Sequence, residues 1–219
     1  MGLIKNKTAV GPLIIQLEAA DSDLKREIIL ALKMIGDKQA VPILKEILLN
    51  DENPFVRYDA ARALGSIYNA DSVFTLTKAL KTDINWMVKG GCAEALGKTG
   101  DNRAVNELKA LLNLDAGDEA SWARDRAARA LSGRGGDGLV ALVSSLGKAG
   151  GRRACWTLVE IGEPVIPHLL TTLRGAGKNA RRRAAMVLGW IGNKEAVAPL
   201  SWALMDEDFE VRKIAAWAL

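Results

Sequence analysis

Apolar residues recur along this chain in two interleaved registers, both with the three-and-four spacing of helices buried on one side. One register runs through Val41, Leu44 and Leu48, then Val73, Leu76 and Leu80, then Val105, Leu108 and Leu112, and again through Val197, Leu200 and Leu204. The other closes each time on an anchor leucine: Leu32, Leu64, Leu96, Leu131, Leu158, Leu188 and Leu219, at steps of 32, 32, 35, 27, 30 and 31 residues. A segment of that period holds two short helices and cannot bury its apolar face alone, so the pattern predicts hairpins that bury one another. Nothing alternates with the period of a strand. The expected fold is all-α, a right-handed α-solenoid of about seven two-helix repeats. It forms a single array over 1–219, with units at approximately 8–36, 40–68, 72–100, 104–135, 138–162, 165–192 and 196–219.

Local signals agree with that division. Pro42, Pro167 and Pro199 sit in the first turn of first helices, where a missing N–H is harmless. Gly36, Gly100, Gly162 and Gly192 follow second helices and suit left-handed C-terminal caps. Paired alanines (Ala60 and Ala61, Ala127 and Ala128, Ala184 and Ala185, Ala215 and Ala216) predict close approach between neighbouring second helices.

Seven residues before each anchor stand Lys25, Arg57, Lys89, Arg124, Gly151, Arg181 and Arg212, and in four units an aspartate lies six residues further back: Asp51, Asp83, Asp118 and Asp206. Such an aspartate is placed to accept the free N–H groups at the mouth of the second helix. The base points along the stack toward the neighbouring aspartate, so the two rows predict a structural ladder. The fifth unit has Gly151 and Ser145 instead, between the glycine-rich joints "SGRGGDG" and "GKAGG", and a weak or bent joint is expected at 133–151.

The segments "DENPFVRYDAARALGSI" and "DEDFEVRKIAAWAL" resemble the HEAT-like repeats first named in phycobilisome lyases, and the resemblance covers essentially the whole chain. It is specific for fold. For function it implies a family that includes bilin lyases, a di-iron hydroxylase and many plain scaffolds. In solenoids of this kind the second helices line the concave side.

With the anchor leucine at zero and about 100° per residue, offsets −5, −2 and +2 lie opposite the core. Those rows bring Arg126, Arg129, Arg153, Arg183, Trp156, Trp190 and Trp217 onto the exposed face, with Arg152 and Arg182 beside them. Charge is uneven in the same sense: residues 121–183 hold 12 basic and 4 acidic side chains, whereas both flanking segments are slightly acidic. Trp and Arg together are the composition of binding hot spots. The candidate partner-binding set is therefore Arg126, Arg129, Arg152, Arg153, Trp156, Arg182, Arg183 and Trp190. Arg181 is assigned to the ladder, and Trp86, Trp122 and Trp202 to packing. Gly90 and Gly91 interrupt an exposed helix face, through either tolerance or the close approach of a partner.

Candidate chemistry is sparse. His168 is the one histidine, with no Cys or carboxylate cluster near it, and is read as a surface residue rather than a metal ligand. The di-iron hydroxylases of the resembled family use several His–Glu pairs, so that activity is not expected. Cys92 and Cys155 fall on buried offsets, too far apart for a disulfide, and read as inert core thiols of a cytoplasmic protein. "SSLGKAGG" and "RGAGKNA" lack the first glycine and the Ser or Thr of a phosphate loop. No apolar run approaches the ~18 residues of a membrane span. No catalytic residue, metal or cofactor is expected.

The resulting expectation is a non-catalytic interaction scaffold holding an acidic protein segment on its concave face. The alternatives are a tetrapyrrole-handling subunit of the bilin-lyase kind and nucleic-acid binding through the same arginines. The chain stops on its seventh anchor without a polar capping unit, so the expectation is either a fragment of a longer array or contact with another chain through that end.

Overall fold

In the computed structural model, residues 6–67 and 69–219 are described. Their fourteen α-helices alternate along seven hairpins: α1 (Val10–Leu17) and α2 (Ser22–Ile35), α3 (Val41–Asn50) and α4 (Pro54–Ile67), α5 (Ala70–Thr82) and α6 (Trp86–Thr99), α7 (Val105–Asn113) and α8 (Ser121–Ser132), α9 (Gly135–Ser144) and α10 (Gly151–Ile161), α11 (Ile166–Gly175) and α12 (Lys178–Ile191), and α13 (Val197–Ala203) and α14 (Phe209–Ala218). Single 3-10 turns lead into α1, α3, α7, α11 and α13. There is no strand among the described residues, and the architecture is an all-α solenoid.

Each second helix packs on the one before and the one after, from α2 to α14, while the first helices touch one another more sparsely along the outer layer. The spine between the layers is made of the anchor leucines. Leu32, Leu64, Leu96, Leu131, Leu158 and Leu188 are all buried, each contributing about 1.5–3 kcal/mol by leaving water. Leu219 is exposed, as are Val197 and Leu204 of the seventh hairpin.

The expected alanine pairs are buried except Ala216, and a second row of small residues also sets close approach. A Cβ on Gly65 would lie 2.6 Å from the Ala95 Cα, one on Gly97 would lie 3.1 Å from the Ala130 Cβ, and one on Gly189 would lie 2.7 Å from the Ala218 Cβ. The glycine directly after the anchor therefore faces the alanine directly before the next anchor. That is why the second helices form the tighter, inner layer. Gly36, Gly100 and Gly192 take the left-handed conformation expected of caps, whereas Gly162 has φ 75° with ψ −135° and ends α10 differently.

The ladder forms where its parts are present. Lys25 reaches Asp51 at 2.7 Å, Arg57 grips Asp83 at 2.7 and 3.0 Å, and Arg181 grips Asp206 at 2.7 and 2.8 Å. These aspartates do not cap the second helices directly. Asp51, Asp83 and Asp206 accept from the N–H two residues on, and the residue there (Asn53, Asn85 or Asp208) accepts the first helical N–H groups. Lys89 instead donates to the carbonyls of Leu80 and Lys81 in the last turn of α5, and Arg124 to those of Ala116 and Gly117 in its own loop. From Lys89 to Gly151 the ladder has no rung, and Asn113 Nδ2 donating to Ser145 Oγ at 2.9 Å is a neutral link there. The glycines of this stretch permit contact: a Cβ on Gly138 would meet the Leu131 carbonyl, and one on Gly150 the Leu112 carbonyl.

Candidate functional site: an exposed tryptophan ladder

α10, α12 and α14 carry the most unusual surface of the inner layer. Their small buried residues, Ala154, Ala184, Ala185 and Ala215, let the helices lie close, so that large side chains on the open face are forced together. The indoles of Trp156 and Trp190 stack with centroids 5.0 Å apart and planes 17° from parallel, and Trp217 meets Trp190 edge-on at 6.1 Å. Yet they remain 57%, 39% and 56% exposed. Trp156 and Trp190 are thus brought together as a site on the open face, and Trp217, which sequence reasoning placed in the same row but left out of the candidate set, completes it.

The arginines divide. Arg153 donates to Asp125 at 2.6 Å and also to the Ser121 hydroxyl. Arg183 reaches back to the carbonyls of Leu146 and Lys148, stitching α12 to the glycine joint. Arg126 lies 4.9 Å over the ring of Trp122 and 3.9 Å from Glu94. Arg129 and Arg152 are exposed and Arg182 is half-buried, and no partner among the described residues engages them. Half of the basic set is therefore spent inside the molecule, where sequence reasoning placed all of it outward.

The amino-terminal part of the same face is a charge network. Arg26 pairs with Asp59 at 2.7 Å, and Lys98 donates to Glu94 at 2.9 Å. Burial opposes ionisation of Glu94, but the hydrogen bond from Lys98 and the nearby charges of Lys98, Arg62 and Arg126 outweigh it, holding the carboxyl below its ordinary value. Lys33 is pushed down, first by burial and then by Arg62 and Lys98. A cleft of about 510 Å³ opens there between Asp23, Glu27, Lys33 and Arg62.

Other candidates change meaning. Gly90 and Gly91 are buried: a Cβ on Gly90 would strike the Trp122 ring, and one on Gly91 would lie 2.6 Å from the Tyr58 ring. The aromatics of α4 and α8 fill that space, so no partner is needed to explain the glycines. Trp202, expected to pack, is exposed with Arg174 5.6 Å above its ring. Both cysteines are free and buried; desolvation raises the Cys92 thiol far above its normal range and pushes Cys155 up to about 11. His168 is half-buried, not a surface residue. It lines an apolar groove of about 680 Å³ between α9 and α11, its Nδ1 buried without a hydrogen-bond partner. Among the described residues no helix is long and apolar enough to cross a membrane.

A stack of helical hairpins with a continuous inner layer defines an α-solenoid repeat protein. A family model of HEAT repeats matches residues 1–65, 44–132 and 166–219, and the chain belongs to the HEAT-repeat family. It is similar to the deoxyhypusine hydroxylase of Arabidopsis thaliana, 30% identical over 218 residues, covering 93% of this chain and 66% of that protein. The deoxyhypusine hydroxylase of Eremothecium gossypii is 28% identical over 241 residues, covering 91% and 74%. Among solved structures, the CpcE and CpcF complex of phycocyanin lyase from Nostoc matches with TM-score 0.58 and 21% identity over 95% of this chain and 86% of that one, a likeness of fold that agrees with the phycobilisome-lyase type of repeat. The chain spans just under two thirds of the plant protein's length.

These relatives overturn the expectation of a non-catalytic scaffold, which stood ahead of tetrapyrrole handling and nucleic-acid binding, and with it the expectation that the chain is not an enzyme. Proteins that align along nearly the whole array carry the name of an enzyme. The physical reason for the miss is that repeat positions report mutual burial, and the lack of a recognisable motif says little about chemistry grafted on a shared fold. The iron pair that the hydroxylase resemblance implies requires clustered imidazole and carboxylate ligands. Among the described residues no group of three or more His, Cys, Asp or Glu could hold a metal ion, and His168 faces an apolar groove. These residues do not fit such a centre.

Proposed function

We propose that this chain is an enzyme of the deoxyhypusine hydroxylase kind, or the helical-repeat part of one, which takes hold of a modified side chain of a protein substrate along the inner face of its second helices. The observation that carries the reading is the alignment with the plant hydroxylase over 218 residues, a run that takes in nearly every hairpin. Deoxyhypusine bears amines on a long aliphatic stem. Indole faces suit both parts, through apolar contact and cation–π attraction, and the open faces of Trp156, Trp190 and Trp217 offer them. The nearest competing cations are partly engaged, Arg153 by Asp125 and Arg183 by main-chain carbonyls. Glu160, one turn beyond Trp156 on α10, is exposed and supplies a carboxylate. The described residues supply no oxidising centre, and substrate recognition is the share of the reaction that this chain's own residues would carry. The free, buried thiols support a cytoplasmic setting.

The test compares two forms of one peptide, bearing deoxyhypusine or plain lysine, titrated against the purified chain. The modified form should bind at least about tenfold more tightly, and W156A/W190A should erase the difference. Equal binding of the two peptides, or a preference untouched by the double substitution, would sink the reading.

A further inference from the structure

The fifth and sixth hairpins meet without the carboxylate that stands at other joints. Counted back from the anchor Leu188, Gly175 takes the place of Asp51, Asp83 and Asp206, and Gly177 the place of Asn53, Asn85 and Asp208, which cap their helices. No side chain caps α12, so the first N–H groups of this 14-residue helix lack the acceptor that α4, α6 and α14 carry. A Cβ on Gly177 would meet nothing within 4 Å, and its φ of −62° suits any residue, so neither space nor strain demands a glycine there.

That helix mouth opens on the groove of about 680 Å³ between α9 and α11, a volume in the range of small-molecule sites. Val140, Val143, Pro167 and Ala180 give it apolar walls. The hydroxyls of Ser144, Thr171 and Thr172 are spent on their own helices, donating to the carbonyls of Ala141, Pro167 and His168. Among the described residues lining the groove, Lys148 brings the one fixed charge and none is acidic. Its loop is held in place, because Arg183 donates to the carbonyls of Leu146 and Lys148, and a Cβ on Gly147 would lie 3.5 Å from the Ala180 Cβ in the first turn of α12. An ammonium group and the positive end of a helix thus sit beside one apolar trough. We propose that this trough binds a small aliphatic carboxylate, its tail along α9 and α11 and its head between Lys148 and the first turn of α12. The charge complementarity is one-sided: a carboxylate gains on both counts, whereas an aliphatic ammonium meets like charge. Further hairpins lie on both sides, so the trough is a feature of the middle of the array. It lies in the outer layer, away from the indoles, and the inference is independent of the substrate reading above.

The probe is octanoate, with octylammonium as its charge-reversed counterpart. His168 is the chain's one histidine and lines the groove, so its ring resonances report occupancy in proton NMR. Octanoate should shift them saturably and bind at least about fivefold more tightly than octylammonium. K148E should weaken octanoate by about fivefold or more. G177N, which gives α12 the kind of cap that Asn53 gives α4, should weaken it by about threefold or more while leaving the fold as stable or more so. T171W, which fills the trough, should abolish the saturable shift. All three positions are exposed, so none of these variants opens the core. Resonances that do not move, octylammonium binding as tightly as octanoate, an octanoate affinity indifferent to both K148E and G177N, or a saturable shift that survives T171W each overturns the proposal.

Discussion

Arg57 and Asp83, 26 residues apart, join successive hairpins through two hydrogen bonds of 2.7 and 3.0 Å, with both side chains largely withdrawn from water. Removing one partner strands the other, so D83A should cost about 3 kcal/mol in urea unfolding. R57M/D83L, which removes both charges and keeps the volume, should recover most of that loss. A cost for the double variant equal to the sum of the singles would show that the pair does not interact.

The Arg181–Asp206 rung predicts a pH dependence. The hydrogen bond from Arg181, opposed by burial and aided by the Asp208 N–H, holds the Asp206 carboxyl below its ordinary value. A carboxyl depressed in the folded state contributes stability above its unfolded pKa of about 3.9 and loses it as pH falls through the folded value. Wild type should therefore exceed D206N in stability at neutral pH, and the gap should close as pH falls below about 4. A gap that persists in acid would remove the ionic explanation.

Gly90 predicts a conditional effect. Alanine is ordinarily the better helix former by about 1 kcal/mol, but here its methyl would meet the Trp122 ring. G90A should destabilise the protein by about 1–3 kcal/mol. In a W122A background the same change should become neutral or favourable, because the obstructing ring is gone; thermal melts of the four combinations decide it.

Stacked indoles couple their transitions. The Trp156–Trp190 pair, 5.0 Å apart, should give an exciton couplet in circular dichroism that vanishes in W190F, weakens in W156F, where Trp190 keeps its edge-on contact with Trp217, and persists in W202F. The two ladder substitutions should cost about 1 kcal/mol or less each, since the rings are open to solvent on one side. A spectrum unaltered by either would mean that the rings do not stack in solution.

Between α8 and α10 the Lys/Arg–Asp ladder has no rung, and Arg153 to Asp125 is the ion pair that joins the two helices instead. Amides of residues 133–151 should exchange faster than those of α4 or α6, by about tenfold or more, in line with the lower local stability of sparsely coupled segments. Uniform protection along the array would count against a weak joint.

Particular residues show how far sequence reasoning reached. The anchor leucines were legible because a buried helix face must repeat every turn, and the Arg57–Asp83 pair because a constant spacing in a repeat becomes a constant vector in space. The capping role was misassigned: Asp83 holds the turn, and Asn85 caps the helix. Two residues along the chain exchange these duties without altering the pattern. The Gly65–Ala95 contact was written in the "LG" at Leu64, Leu96 and Leu188, but composition alone does not say which small residue faces which.

For the candidate site, the rows put Trp156, Trp190 and Trp217 on one face, and no more. That the first two stack, that Trp217 meets them edge-on, and that Arg153 and Arg183 turn inward depended on which of several reachable partners each long side chain takes. Periodic burial is a local property, read one helix at a time, so the chain's own order of residues determined an all-α array of paired helices and the positions of its spine. Partner choice is settled by distances of a few ångströms between hairpins about thirty residues apart, and only the assembled stack holds those distances. For that reason tertiary structure alone decided which arginines are spent within the molecule and which indoles are presented.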